Sequence, residues 1–185
     1  MRRWIFAIVV LVTAFAAEPL RAQNPAWTAE LIKSVNQAEE KFVALSNAFS
    51  TEQYNWRPGE GVRSVQEVLL HVAVDNYFIP ALMGVAAPAA TKVTATDYAV
   101  LQTFEKQKLS KDATTAELKT SFEHLRKALN SMPEARLNEK VKAFGQEFTV
   151  RQFMVLAATH MHEHLGQMIA YARTNNVVPP WSRNN

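Results

Sequence analysis

The 185-residue chain contains no cysteine. That absence excludes disulfides, thiolate metal ligation and cysteine nucleophiles, so the core must hold without cross-links and any chemistry falls to His, Glu, Asp, Tyr, Ser and Thr. No repeat, low-complexity tract or Gly/Ser linker divides residues 24–181, which argues for one domain. No apolar run reaches the length of about 20 residues that a membrane-spanning helix needs. The longest, from Trp4 to Ala17, ends at Glu18 and the helix breaker Pro19.

What the N-terminus does have is "MRRWIFAIVVLVTAFAAEPLRAQ", two arginines followed by that short apolar run. This is the layout of a secretory signal peptide. Cleavage after Ala22 is expected, leaving a mature chain that starts at Gln23, keeps no membrane span and is periplasmic or secreted. No cysteine follows the run to carry a lipid anchor. Removing residues 1–22 takes away Arg2, Arg3, Arg21 and Glu18, which leaves 17 of the 20 basic and 16 of the 17 acidic residues, a net charge of +1. A mature chain so nearly neutral gives no argument for nucleic acid, which would need a clustered basic face.

The long segments carry helical periodicity. Residues 27–48 space Leu31, Val35, Ala38, Phe42 and Leu45 at three or four residues, one apolar stripe. Pro58, Gly59 and Gly61 break the chain after it. Ser64 then caps a second helix, with Glu67 three residues on in capping-box position and Pro80 expected to kink or end it. Residues 84–97 read as a loop, and 97–108 as a short amphipathic helix. A third long helix keeps Leu118, Phe122, Leu125 and Leu129 in register and stops before Pro133. "KVKAFGQEFTV" alternates as a small hairpin or extended crossover, and the last helix covers 150–174, capped by Thr149. The expected architecture is all-α: a four-helix bundle with a short extra helix or hairpin in its connections. In such bundles, metal and ligand sites are built from side chains on facing helices.

The last helix carries "THMHEHLGQ", three of the chain's five histidines within nine residues. At about 100° per residue, His164 lies about 40° from His160, on a stripe shared with Phe153, Ala157, Gln167 and Tyr171, while His162 lies about 200° away. Two inward imidazoles one turn apart must each find a hydrogen-bond partner or cost about 1–3 kcal/mol in desolvation. A shared divalent cation would satisfy both, and satisfied core histidines are the alternative. The second helix offers a third ligand, since His71 shares its face with Glu67, Asp75 and Phe78. Three imidazoles suit zinc first, and also nickel, copper or iron. The H-E-x-x-H metalloprotease pattern is excluded because Met161 follows His160. Glu163 belongs to the flank of the stripe, and His124 is expected at the surface.

In "WRPGEGVRSVQEVLLHVAVDN" (56–76) and "HMHEHLGQMIAYARTNNVVPP" (160–180), the chain resembles the DinB/YfiT-like proteins, whose pattern H-x-x-x-H-x-G-Q precedes an aromatic or apolar turn and a proline pair. The resemblance spans essentially the whole mature chain. It implies a four-helix bundle with His71, His160 and His164 as ligands of a divalent metal, Gly166 permitting close helix approach, and a subunit able to form a homodimer. It also implies a metal-dependent transferase using low-molecular-weight thiols, or a metal-dependent hydrolase. An exported chain meets few reduced small thiols, which counts against thiol transfer.

Two functions are consistent with these features. In the first, the centre is a metalloenzyme acting on a small molecule, with zinc as the first choice of metal and nickel, iron, copper or manganese as the others. Asp75 then handles protons or becomes a fourth ligand, and Phe78 and Tyr171 line the pocket. In the second, the cation only staples helices of a binding domain. Glu67 reads best as the capping-box residue. Asp75 could equally accept a hydrogen bond from behind an imidazole and fix its tautomer.

Overall fold

Residues 26–183 are described by the structure, a computed structural model. The expected leader and the start at Gln23 lie outside the described residues. Five helices, α1 (Ala26–Ala48), α2 (Val65–Leu82), α3 (Tyr98–Glu105), α4 (Lys111–Ser131) and α5 (Val150–Thr174), are joined by short 3-10 turns and one antiparallel hairpin of β1 (Lys140–Ala143) and β2 (Gln146–Thr149). The long helices α1, α2, α4 and α5 make a four-helix bundle: α2 packs on α4 and α5, and α1 packs on the same two. The short α3 lies across α2.

The second helix is the centre of the molecule because its sequence is apolar nearly all round. Of its residues only Glu67, His71 and Ala81 are not buried, as expected for a helix surrounded by neighbours. Its start is fixed by the full capping box, in which the Ser64 side chain accepts from the Glu67 amide and the Glu67 carboxylate accepts from the Ser64 amide. Such a cap is worth about 1 kcal/mol. Pro80 does not break the helix where it stands. Two more residues follow it before Met83 closes the last turn.

Polar side chains on α4 set its alignment with α1 and α2. Asn76 donates to Ser121 at 3.0 Å, Gln66 donates to Thr114 at 2.9 Å, and Ser46 shares a hydrogen bond with Thr115 at 2.6 Å, all buried. Around them Phe42, Leu118, Phe122, Leu125 and Leu129 fill the core.

Two connections pack beside the α2 and α5 pair, α3 against α2 and β2 of the hairpin against α5. Asp97 caps α3 by accepting from the amides of Ala99 and Val100, and the helix ends at Glu105, three residues short of the expected 108, since Ser110 already caps α4. The hairpin pairs Ala143 with Gln146 across a two-residue turn, Phe144 and Gly145, both with positive φ (53° and 71°). This is a type I′ turn. Thr149 ends β2 and caps α5 through a second capping box with Gln152.

Candidate metal centre

His71 projects from the middle of α2, and His160 and His164 project one turn apart from the face of α5 that packs on it. The three rings converge, with centroids 5.3 Å apart for His71 and His160, 4.5 Å for His71 and His164 and 4.4 Å for His160 and His164, each pair near perpendicular. One ligand atom from each ring lies within 4.8 Å of the other two. His162 is exposed and donates from Nδ1 to the Ala158 carbonyl one turn back.

Each of two rings is held from behind. His71 Nδ1 lies 2.6 Å from Glu105 Oε1, and Arg63 grips the same carboxylate with Nε at 2.7 Å and Nη2 at 3.2 Å. Burial by itself would raise the Glu105 carboxyl, but the hydrogen bonds from His71 and Arg63 outweigh it and hold the group at about 2. His164 Nδ1 donates to Gln167 Oε1 at 2.9 Å, the Gln167 amide donates to Tyr171 Oη, and Tyr171 donates to the Arg63 carbonyl. Arg63 therefore anchors both supports, one through its side chain and the other through its backbone.

These supports dictate tautomers. A ring that donates from Nδ1 keeps a lone pair on Nε2. In His164 that Nε2 is buried and has no hydrogen-bond partner among the described residues. Burial lowers the His164 imidazole below its ordinary value, which keeps it neutral at pH 7. An unsatisfied buried acceptor costs about 1–3 kcal/mol, and a cation between the three rings would remove that cost. The donor set fits a divalent ion of borderline softness.

Asp75 lies on the inner side. Its Oδ2 is 2.7 Å from His160 Nε2 and 3.2 Å from His71 Nε2. Burial lowers the His160 imidazole, but the hydrogen bond to Asp75 more than reverses this and raises it. Asp75 thus fixes the His160 ring by accepting from it, as Glu105 and Gln167 do for His71 and His164. Asp75 faces the space that the rings enclose, where it can ligate or carry a proton.

The remaining sequence candidates divide. Glu67 is engaged in its capping box and with Arg57 at 3.1 Å, and is not brought to the histidines. Phe78 lines a cavity of about 460 Å³ whose polar wall is His71, Asp75 and His160. Tyr171 does not line that cavity: its ring meets Trp56 edge-on at 5.2 Å and its hydroxyl serves Gln167. His124 is half-buried rather than at the surface, with its ring 5.3 Å from that of Tyr77, because α4 turns this position toward the largely buried α2. Gly166 is exposed, and a Cβ there would meet nothing within 4 Å, so no helix approaches it closely within the subunit.

Sequence reasoning missed Glu105 and Arg63. A signal for Glu105 was present, since it follows Leu101 by one turn and stands next to the buried Phe104, a carboxylate on the apolar side of α3.

A family model described as the DinB superfamily matches residues 34–168. Among solved structures, the crystal structure of a DinB-like protein, YjoA, from Bacillus subtilis is similar with a TM-score of 0.61 and 18% identity, over 80% of this chain and 93% of that one. No curated protein matches the sequence.

Proposed function

The chain belongs to the DinB superfamily, and on that premise we propose that it is an exported metalloenzyme that hydrolyses, or transfers a group from, a small-molecule substrate at a centre of His71, His160 and His164. The observation that carries the reading is the buried, partnerless Nε2 of His164, held toward two further imidazoles by a ring whose other nitrogen is already committed to Gln167. Support for export comes from the leader-like layout of residues 1–22.

The three histidines would hold the ion, with zinc the first choice. A divalent cation there supplies Lewis acidity, which polarises a carbonyl or phosphoryl oxygen or acidifies a water. The protein's own residues supply the rest. Glu105 and Gln167 fix the rings of His71 and His164 in the tautomer that leaves Nε2 unprotonated. Asp75 accepts a proton at Oδ2 and passes it to the leaving group. The apolar side of the cavity keeps bulk water from the reacting atoms.

Asp75 also separates this reading from a purely structural site, which would close its shell with a fourth protein ligand. The test measures metal content and hydrolysis of ester, amide and phosphoester substrates in wild type, Asp75→Ala and His164→Ala. A catalytic centre keeps its metal in Asp75→Ala while turnover falls about a hundredfold or more, and loses both in His164→Ala. Loss of stoichiometric metal in Asp75→Ala, with no activity in wild type, would make the site structural.

A further inference from the structure

The cavity beside the histidines has two unlike ends. At its floor stand His71, Asp75 and His160; its walls are Phe78 and Ile79 from α2, Leu101 from α3, Phe144 and Phe148 from the hairpin and Leu156 from α5. Beyond its histidine end the walls offer no lysine, arginine or carboxylate to pair with a charged group. Its volume, about 460 Å³, is within the range of sites that enclose small organic ligands.

The rim is where the sequence departs from what the fold alone would choose. A type I′ turn favours Asn, Asp or Gly at its first position because φ must be positive, yet Phe144 occupies it at φ 53°. Strand pairing does not require a phenyl ring there, and the ring remains 53% exposed. It stands 6.0 Å from Tyr98, itself 45% exposed, and 6.2 Å from Phe78, centroid to centroid. Two exposed aromatic residues, one from α3 and one from the hairpin, thus stand together beside a cavity that also reaches the histidines.

We propose that the substrate of this centre carries an uncharged aromatic or branched aliphatic group that packs in the cavity beneath Phe144, with its polar reacting group at the His71, Asp75 and His160 end, and that Phe144 determines specificity for that group. The inference rests on the reading of the histidines as the reactive centre.

The experiment titrates zinc-loaded protein calorimetrically with acetohydroxamate and 2-naphthohydroxamate, which share a metal-binding head and differ in the apolar group. In wild type the naphthyl compound should bind about tenfold tighter or more, the scale expected when an aromatic ring leaves water. Phe144→Asn, which suits the turn, should cut that ratio at least about threefold, and Leu101→Glu should abolish it. Equal affinities in wild type, or a ratio unchanged in both variants, would overturn the proposal. If neither hydroxamate binds wild type, the metal reading fails, and N-phenyl-1-naphthylamine, an uncharged fluorophore without a metal-binding head, then decides on the cavity in metal-free protein. A blue-shifted signal that is lost in folded Leu101→Glu supports the cavity, and no signal in wild type overturns it.

Discussion

Replacing Glu105 by Ala should weaken zinc binding by one to two orders of magnitude although Glu105 is not a ligand. Its carboxylate accepts from His71 Nδ1 at 2.6 Å and is clamped by two nitrogens of Arg63. Without it, His71 Nδ1 has no acceptor, and the ring is free to protonate at either nitrogen and to rotate. Only the tautomer protonated at Nδ1 offers Nε2 to the centre, so part of the binding free energy is spent on selecting it. Removing such an outer partner typically costs 10- to 100-fold in metal affinity, about 1.4–2.7 kcal/mol. The freed Arg63 adds little, because its side chain is 40% exposed and water can solvate it. Glu105→Gln should fall between wild type and Ala, since an amide oxygen can still accept from His71 while the ionic clamp is lost. Glu163→Ala is the control: its carboxylate is 76% exposed and 3.8 Å from His160 Nδ1, beyond hydrogen-bond reach. Competition against a chromophoric chelator at pH 7 gives the dissociation constants. An affinity in Glu105→Ala within about threefold of wild type, or an equal loss in Glu163→Ala, would refute the argument.

Two further outcomes concern stability. At a free zinc concentration about a thousandfold above the dissociation constant, the ion should add about 4 kcal/mol, so a chelator should lower Tm by about 10 °C. His160→Ala should remove that difference and His162→Ala should keep it; a chelator without effect on the wild type would show that the folded state gains nothing from the ion. Gly166→Ala should stabilise by about 1 kcal/mol, a Tm rise of about 2–4 °C by calorimetry, because a Cβ there meets no atom within 4 Å. A fall in Tm instead, growing with protein concentration, would mean that a second copy packs on this glycine.

The four long helices were legible because burial and period coincide in them. Phe42 and Leu45 on α1, Leu118, Phe122, Leu125 and Leu129 on α4, and Phe153 and Ala157 on α5 recur at helical spacing and are all buried. The caps were legible for a local reason: Ser64 with Glu67 and Thr149 with Gln152 satisfy amides that no tertiary contact reaches. Where the deciding contacts are tertiary, the sequence was silent or misleading. His124 looks exposed among Glu123, Arg126 and Lys127, yet its ring lies against Tyr77, because α2 is buried along most of its surface and α4 packs closely on it. The end of α3 depended on competition with the cap at Ser110, which periodicity alone does not weigh.

The centre shows the same division more sharply. His160 and His164 declare themselves by spacing on one helix, and His71 by its position on an apolar face. What makes them a site is a chain of contacts from His164 through Gln167 and Tyr171 to the Arg63 carbonyl, and from the Arg63 guanidinium through Glu105 to His71. Its members come from α5, the segment before α2, α3 and α2 itself, and no single stretch of sequence contains both ends. Arg63 stands immediately before the Ser64 cap, so the capping box that starts α2 also fixes where Arg63 begins. The stability of that helix start and the orientation of the two imidazoles are therefore one structural problem. A loosened cap would be felt at the histidines before it was felt in the core.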